Sequence, residues 1–189
     1  MTAESQAPAE TPAPAENDAP ADRPSPALDA GERAMLEGWL EYHRRTLAWK
    51  CEDLTDEQLR TASVPPSDLS LMGLVRHMAD VERAWFRKVL AGDDQGWIYW
   101  SDEDPDGDLH LTEADTWKDA YAVWQAEIEA ARSDAARFEL DDLSLGKRRP
   151  HDERRYSLRW IYTHMIEEYA RHNGHADLLR ERIDGRTGE

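Results

Sequence analysis

His164, Glu168 and His172 stand four residues apart, with His175 three further on, in a segment whose other residues read as a helix. Four residues advance an α-helix by about 400°, so such side chains stack within a stripe roughly 80° wide. Ile161, Met165, Leu179 and Ile183 read onto the same face. That would carry the ionisable groups into the interior, where an unpaired charge costs several kcal/mol. A divalent metal is the expected compensation: His nitrogen and Glu oxygen bind such ions at about 2.0–2.2 Å, and two residues one turn apart can reach one ion. A catalytic site needs three protein ligands and an open position, so a third donor must come from another element. His77 is the best placed, lying among Leu74, Met78 and Val81 in a second helical segment. On the residues alone, His164 can stand in for His172, and His164, His175 or Glu82 can orient a ligating His. The competing reading makes each of them an ordinary hydrogen-bonded side chain.

Four helical segments must position this set. Met35, Leu36, Trp39, Leu40, His43, Leu47 and Trp49 recur at helical spacing and predict a first helix ending near Cys51. Thr55 and Gln58 form a capping box for a short turn that Pro65 and Pro66 close. Ser70 is an N-cap for a second long helix running to Gly92. Thr112 with Asp115 predicts the start of a third helix that ends near Phe138, and the fourth runs from Ser157 to Ile183, stopped by Gly185. With no credible strand, the expected fold is all-α: a four-helix bundle with a long acidic connection over residues 92–112 that can cross the bundle. Residues 1–27 hold six of the ten prolines and nothing that could form a core, and are expected to be a disordered tail preceding a single domain over 28–189.

Composition removes several classes of function. A net charge of −17 disfavours nucleic acid, whose backbone is bound by clustered Lys and Arg. A single Cys, Cys51, excludes an intramolecular disulfide and a Cys-based zinc site, and fits a reduced cytoplasm. No apolar run approaches the roughly 20 residues of a membrane span, and the N-terminus has no basic or hydrophobic leader, so no membrane partner is expected.

The segments Ser70–Phe86 and Tyr162–Arg180 resemble the DinB/YfiT-like superfamily of metal-dependent enzymes, a likeness that covers about residues 30–185. That superfamily includes mycothiol-dependent maleylpyruvate isomerases and bacillithiol transferases. The resemblance implies a four-helix bundle with a long crossover between helices two and three, and a divalent metal, zinc first and nickel second. By position, it puts the metal ligands on His77, Glu168 and His172. The usual Gly-Gln after the last ligand is Gly174-His175 here. The isomerase also carries a further C-terminal domain, so maleylpyruvate is not the expected substrate.

The resulting expectation is a metal-dependent S-transferase or isomerase that uses a low-molecular-weight thiol, mycothiol or bacillithiol, on a small electrophile, with homodimerisation left open. His164 and His175 are the candidates for proton transfer. Arg76 and Arg171, beside the metal stripe, are candidates for an anionic substrate or the thiol. The alternative is a non-catalytic, stress-related metal-binding bundle. Asp102, Asp104, Asp106, Gly107 and Glu113 also match a calcium-loop pattern. With nine acids and no Lys or Arg between Gly92 and Thr116, a solvated acidic connection is the preferred reading. Trp85, Trp117, Trp124 and Trp160 are expected in the core, whereas Trp97, Tyr99 and Trp100 either cover a pocket mouth or pin the connection.

Overall fold

Three of the four long helices begin where a short hydroxyl side chain satisfies one of the backbone N–H groups left open at the first turn, whereas the first begins at Gly31 without a side-chain cap. The computed structural model describes residues 23–93, 95–149 and 151–188; most of the expected Pro/Ala-rich tail, residues 1–22, lies outside them. The helices are α1 (Glu32–Cys51), α2 (Asp56–Arg60), α3 (Leu71–Glu82), which continues as a π-helical segment (Arg83–Leu90), α4 (Trp117–Ala135) and α5 (Leu158–Asp184). Thr55 and Gln58 close the expected capping box on α2. Ser70, Thr116 and Ser157 cap α3, α4 and α5, and Gly185 ends α5 with φ at 80°. The described residues contain no strand, only one isolated bridge between Leu143 and Ser157. None of their helices is long and apolar enough to cross a membrane.

Pairings along the helices fix the topology. Arg159 meets Glu32 and Arg180 meets the Lys50 carbonyl, so α5 runs parallel to α1. Arg76 meets Asp115 and Arg83 meets Glu127, so α4 runs parallel to α3. His77 faces His172 while Trp85 faces His164, making α3 antiparallel to α5. The order is up, down, down, up, and only a long crossover can join the parallel pair α3 and α4. Leu47, Leu74, Met78, Phe86, Trp124 and Met165 are among the buried residues at the centre.

Two boundaries differ from the sequence expectation. The third helix starts at Trp117, not at Thr112, because the Asp115 carboxylate turns back to the Thr112 N–H (2.7 Å) and pairs with Arg76 (3.0 Å). Thr116 then caps, accepting from the Asp119 N–H at 3.2 Å. The second helix widens at Glu82, a carboxylate held by Arg44 (2.6 Å) and the Tyr169 hydroxyl (2.7 Å). Tyr169 in turn accepts from Trp124 Nε1 at 2.9 Å, so one buried polar network ties α1, α3, α4 and α5.

The crossover folds onto α3 through side chains on one face of that helix. Asp80 accepts the N–H groups of Ile98, Tyr99 and Trp100 at 2.7, 3.0 and 3.3 Å. Arg76 donates to the Gly107 carbonyl at 2.8 Å and lies 4.2 Å from the centre of the Tyr99 ring. Glycine at 107 is required, since a Cβ there would sit 2.4 Å from the Tyr99 carbonyl oxygen.

Candidate metal centre and its cavity

On α5 the ionisable stripe does not coincide with the apolar one. Ile161, Met165, Tyr169, Ala176 and Leu179 are buried, whereas His164, Glu168, His172 and His175 flank them and are partly exposed. The side chains of His77, Glu168 and His172 are 29%, 16% and 13% exposed, which puts the cluster at the edge of the bundle and not in its interior. Residue 164 trails residue 165 by about 100° around the helix, enough to turn it from the core toward the seam with α3.

At that seam, one ligand atom each from His77, Glu168 and His172 lies within 4.8 Å of the others. Asp108 of the crossover takes a hydrogen bond from His77 Nδ1 at 2.6 Å. A carboxylate can only accept, so this bond fixes the proton on Nδ1 and leaves Nε2 with a lone pair for a ligand. His172 Nδ1 lies 3.4 Å from His175 Nδ1, and its Nε2 lies 3.5 Å from Glu168. Burial and the neighbouring His77 push the His172 imidazole down to about 4, so it is a neutral nitrogen donor at pH 7. The nearest partners of Glu168, Arg171 and the His164 and His172 imidazoles, stand at 3.5–3.6 Å, whereas Asp80, Glu82 and Asp108 each hold a partner at 2.6–2.7 Å. Two neutral-capable imidazoles and a loosely held, half-buried carboxylate make a donor set that fits a divalent ion. A second three-donor group, His164, Glu167 and Glu168, shares Glu168 but uses the exposed Glu167, already paired with Arg171.

The centre opens onto a cavity of about 340 Å³ between α3, its π extension, α5 and the crossover. His77 and Glu168 are at one end; Val81, Trp85, Trp97, Trp100 and Leu109 form walls. His164 lines the cavity, stacked on Trp160 (5.0 Å between ring centres) and edge-on to Trp85 (4.5 Å). Burial holds its imidazole below the ordinary range. His175 contacts His172 from the side away from the cavity lining. Of the aromatic residues, Trp85 and Trp124 are buried, but Trp160 is 44% exposed and serves His164 instead of the core. Trp97 and Trp100 cover the cavity, while Tyr99 pins the crossover to Arg76.

The two arginines singled out from the sequence are placed apart from the lining: Arg76 is buried under the crossover, and Arg171 is exposed and paired with Glu167 and Glu168. Glu82 is bonded to Arg44 and Tyr169 and belongs to the central network, away from His77 and His172. Cys51 is buried, and burial pushes its thiol up to about 12, which removes it as a nucleophile. Among the described residues, no three acids of the calcium-like pattern converge; Asp104 is instead bound by His110 Nδ1 at 2.8 Å.

Sequence reasoning missed Asp108, Lys88 and Arg148, all of which line the cavity. Asp108 carried no distinguishing signal among nine acids. Lys88 falls eleven residues after His77, a multiple of helical turns that puts both on one face.

No curated protein matches the chain. A sequence model of the Mycothiol-S-transferase family matches residues 35–185, from the first turn of α1 to the glycine that ends α5, and with it His77, Glu168, His172 and the whole crossover. The chain therefore belongs to the DinB-like Mycothiol-S-transferase family.

Proposed function

We propose that the protein is a divalent-metal-dependent transferase that joins a low-molecular-weight thiol of the mycothiol type to a small electrophile. The observation that carries this reading is the convergence of His77, Glu168 and His172 at the end of an aromatic-walled cavity. His77, oriented by Asp108, Glu168 and His172 would hold the ion, zinc first by its preference for nitrogen and oxygen donors in a set of three. When bound, the ion lowers the pKa of a thiol and so provides a nucleophile near neutral pH.

The chain's own residues supply the rest. Trp85, Trp97 and Trp100 bind the apolar body of the electrophile and exclude water. His164, with Nε2 3.6 Å from Glu168, would take up the thiol proton. In the transfer the S–H bond and the bond from carbon to its leaving group break, an S–C bond forms, and the leaving group departs with its electron pair. Membership in a transferase family favours transfer over isomerisation.

The test is elemental analysis of untagged protein together with mycothiol conjugation to a fluorogenic bimane halide. We expect about one metal ion per chain, and loss of both metal and conjugation in His77→Ala and Glu168→Ala. Parent protein without stoichiometric metal, or variants that retain it, would overturn the assignment.

A further inference from the structure

The cavity has a second end. α3 and its π extension carry His77, Val81, Trp85 and Lys88 along its length, and eleven residues separate His77 from Lys88, on the order of 15 Å of helix. Lys88 Nζ stands 5.0 Å from the centre of the Trp97 ring, and the Arg148 guanidinium 5.5 Å from that of Trp85. Arg148 is brought there by a loop whose Leu145 and Gly146 N–H groups bond the Leu90 and Val89 carbonyls at the end of the π segment, both at 2.8 Å.

Charge makes this placement informative. The protein carries 40 acidic and 23 basic residues, yet among the described residues neither Lys88 nor Arg148 has an acidic partner within ion-pairing distance. Four acids share the cavity wall: Asp80 is committed to three backbone N–H groups and Asp108 to His77, Glu168 stands at the His77 end, and Asp106 lies beside His110. Two cations over the indoles at one end of the recess, away from His77 and Glu168, attract an anion far more than the acidic surface around them does.

We propose that this end of the cavity is a subsite for an anionic group, so that the preferred electrophile is an elongated aromatic molecule bearing a carboxylate or sulfonate remote from its reactive carbon. The aromatic body lies along Trp85, Trp97 and Trp100 and the anion meets Lys88 and Arg148, which leaves the reactive carbon toward His77, Glu168 and His172. The identity of the molecule as an electrophile rests on the transferase reading; the anion subsite itself does not.

Two measurements on the full chain separate the two ideas. In the first, quenching of tryptophan fluorescence by 4-phenylbenzoate is compared with that by its neutral amide, without thiol or added metal. We expect roughly tenfold tighter binding of the carboxylate, a gap that closes in the Lys88→Met/Arg148→Met double variant and returns in Lys88→Arg. In the second, the enzyme-dependent rate of thiol conjugation to 4′-(bromomethyl)biphenyl-4-carboxylate, with bromide as leaving group, is compared with that to its methyl ester, and the same preference is expected in kcat/KM. Equal binding of carboxylate and amide by the parent, or a preference untouched by the double variant, overturns the subsite. A charge preference in binding with no enzyme-dependent conjugation of either bromide upholds the subsite and counts against the transferase assignment alone.

Discussion

A single hydrogen bond, Asp108 to His77 Nδ1 at 2.6 Å, decides which nitrogen of that imidazole faces the centre. Removing the charge while keeping the shape weakens this orientation, and outer partners of this kind are worth about 10–100-fold in metal affinity. Asp108→Asn is therefore expected to lower zinc affinity by that factor with unchanged helix content, read by competition with a chromophoric chelator; an affinity equal to that of the parent refutes the role. Residues at this scale were legible in unequal measure. Helical period alone brings Glu168 and His172 to one face, and the apolar neighbours of His77 mark it as the best third donor, while the choice of these three over His164 comes from the family resemblance. Asp108 could not be read, because local sequence does not tell which of nine acids in an irregular connection the fold docks against a given side chain. Nor does hydrophobic spacing distinguish the core stripe from the one beside it, which is why the cluster on α5 reads as interior when it lies at the edge.

The π-helical extension of α3 places Trp85 and Lys88 in the cavity wall, and its last carbonyls are satisfied by a loop from the far end of the chain. Gly146 makes that junction possible, since a Cβ there would lie 2.0 Å from the Lys88 carbonyl oxygen. Gly146→Ala should push the loop away and weaken both backbone bonds, costing about 1–3 kcal/mol. Urea denaturation measures this, and a variant as stable as the parent would show that the loop does not depend on the close approach. Segment types and most ends followed from capping residues and apolar period. The widening at Glu82 did not, because a change from i→i−4 to i→i−5 bonding leaves no mark in a pattern read at 3.6 residues per turn. The start of α4 was ambiguous for a different reason: Thr112 with Asp115 and Thr116 with Asp119 are equivalent boxes, and only Arg76, from another helix, settles between them.

The molecule as a whole is held in register by Arg44, Glu82, Trp124 and Tyr169, one from each long helix. Glu82→Ala would leave the Arg44 guanidinium buried without its main partner, and breaking such a pair costs about 3–5 kcal/mol. Glu82→Gln, which keeps the shape and some hydrogen bonds, should lose less; a stability change below about 1 kcal/mol in the alanine variant on denaturant unfolding would contradict a central role for the network. The length of the acidic connection already allowed a crossover, but the parallel pairing of α3 with α4 and of α1 with α5 depends on contacts between distant segments that no local pattern encodes. That pairing has a consequence for biosynthesis. α1 emerges from the ribosome well before α5, yet α1 packs along α5, and α5 alone carries Glu168 and His172. While α5 is still being translated, the nascent chain has neither the lateral mate of α1 nor the two donors that face His77. Docking of α5 thus completes the bundle and the donor set in one event, and a nascent chain holds no such set before that helix is made.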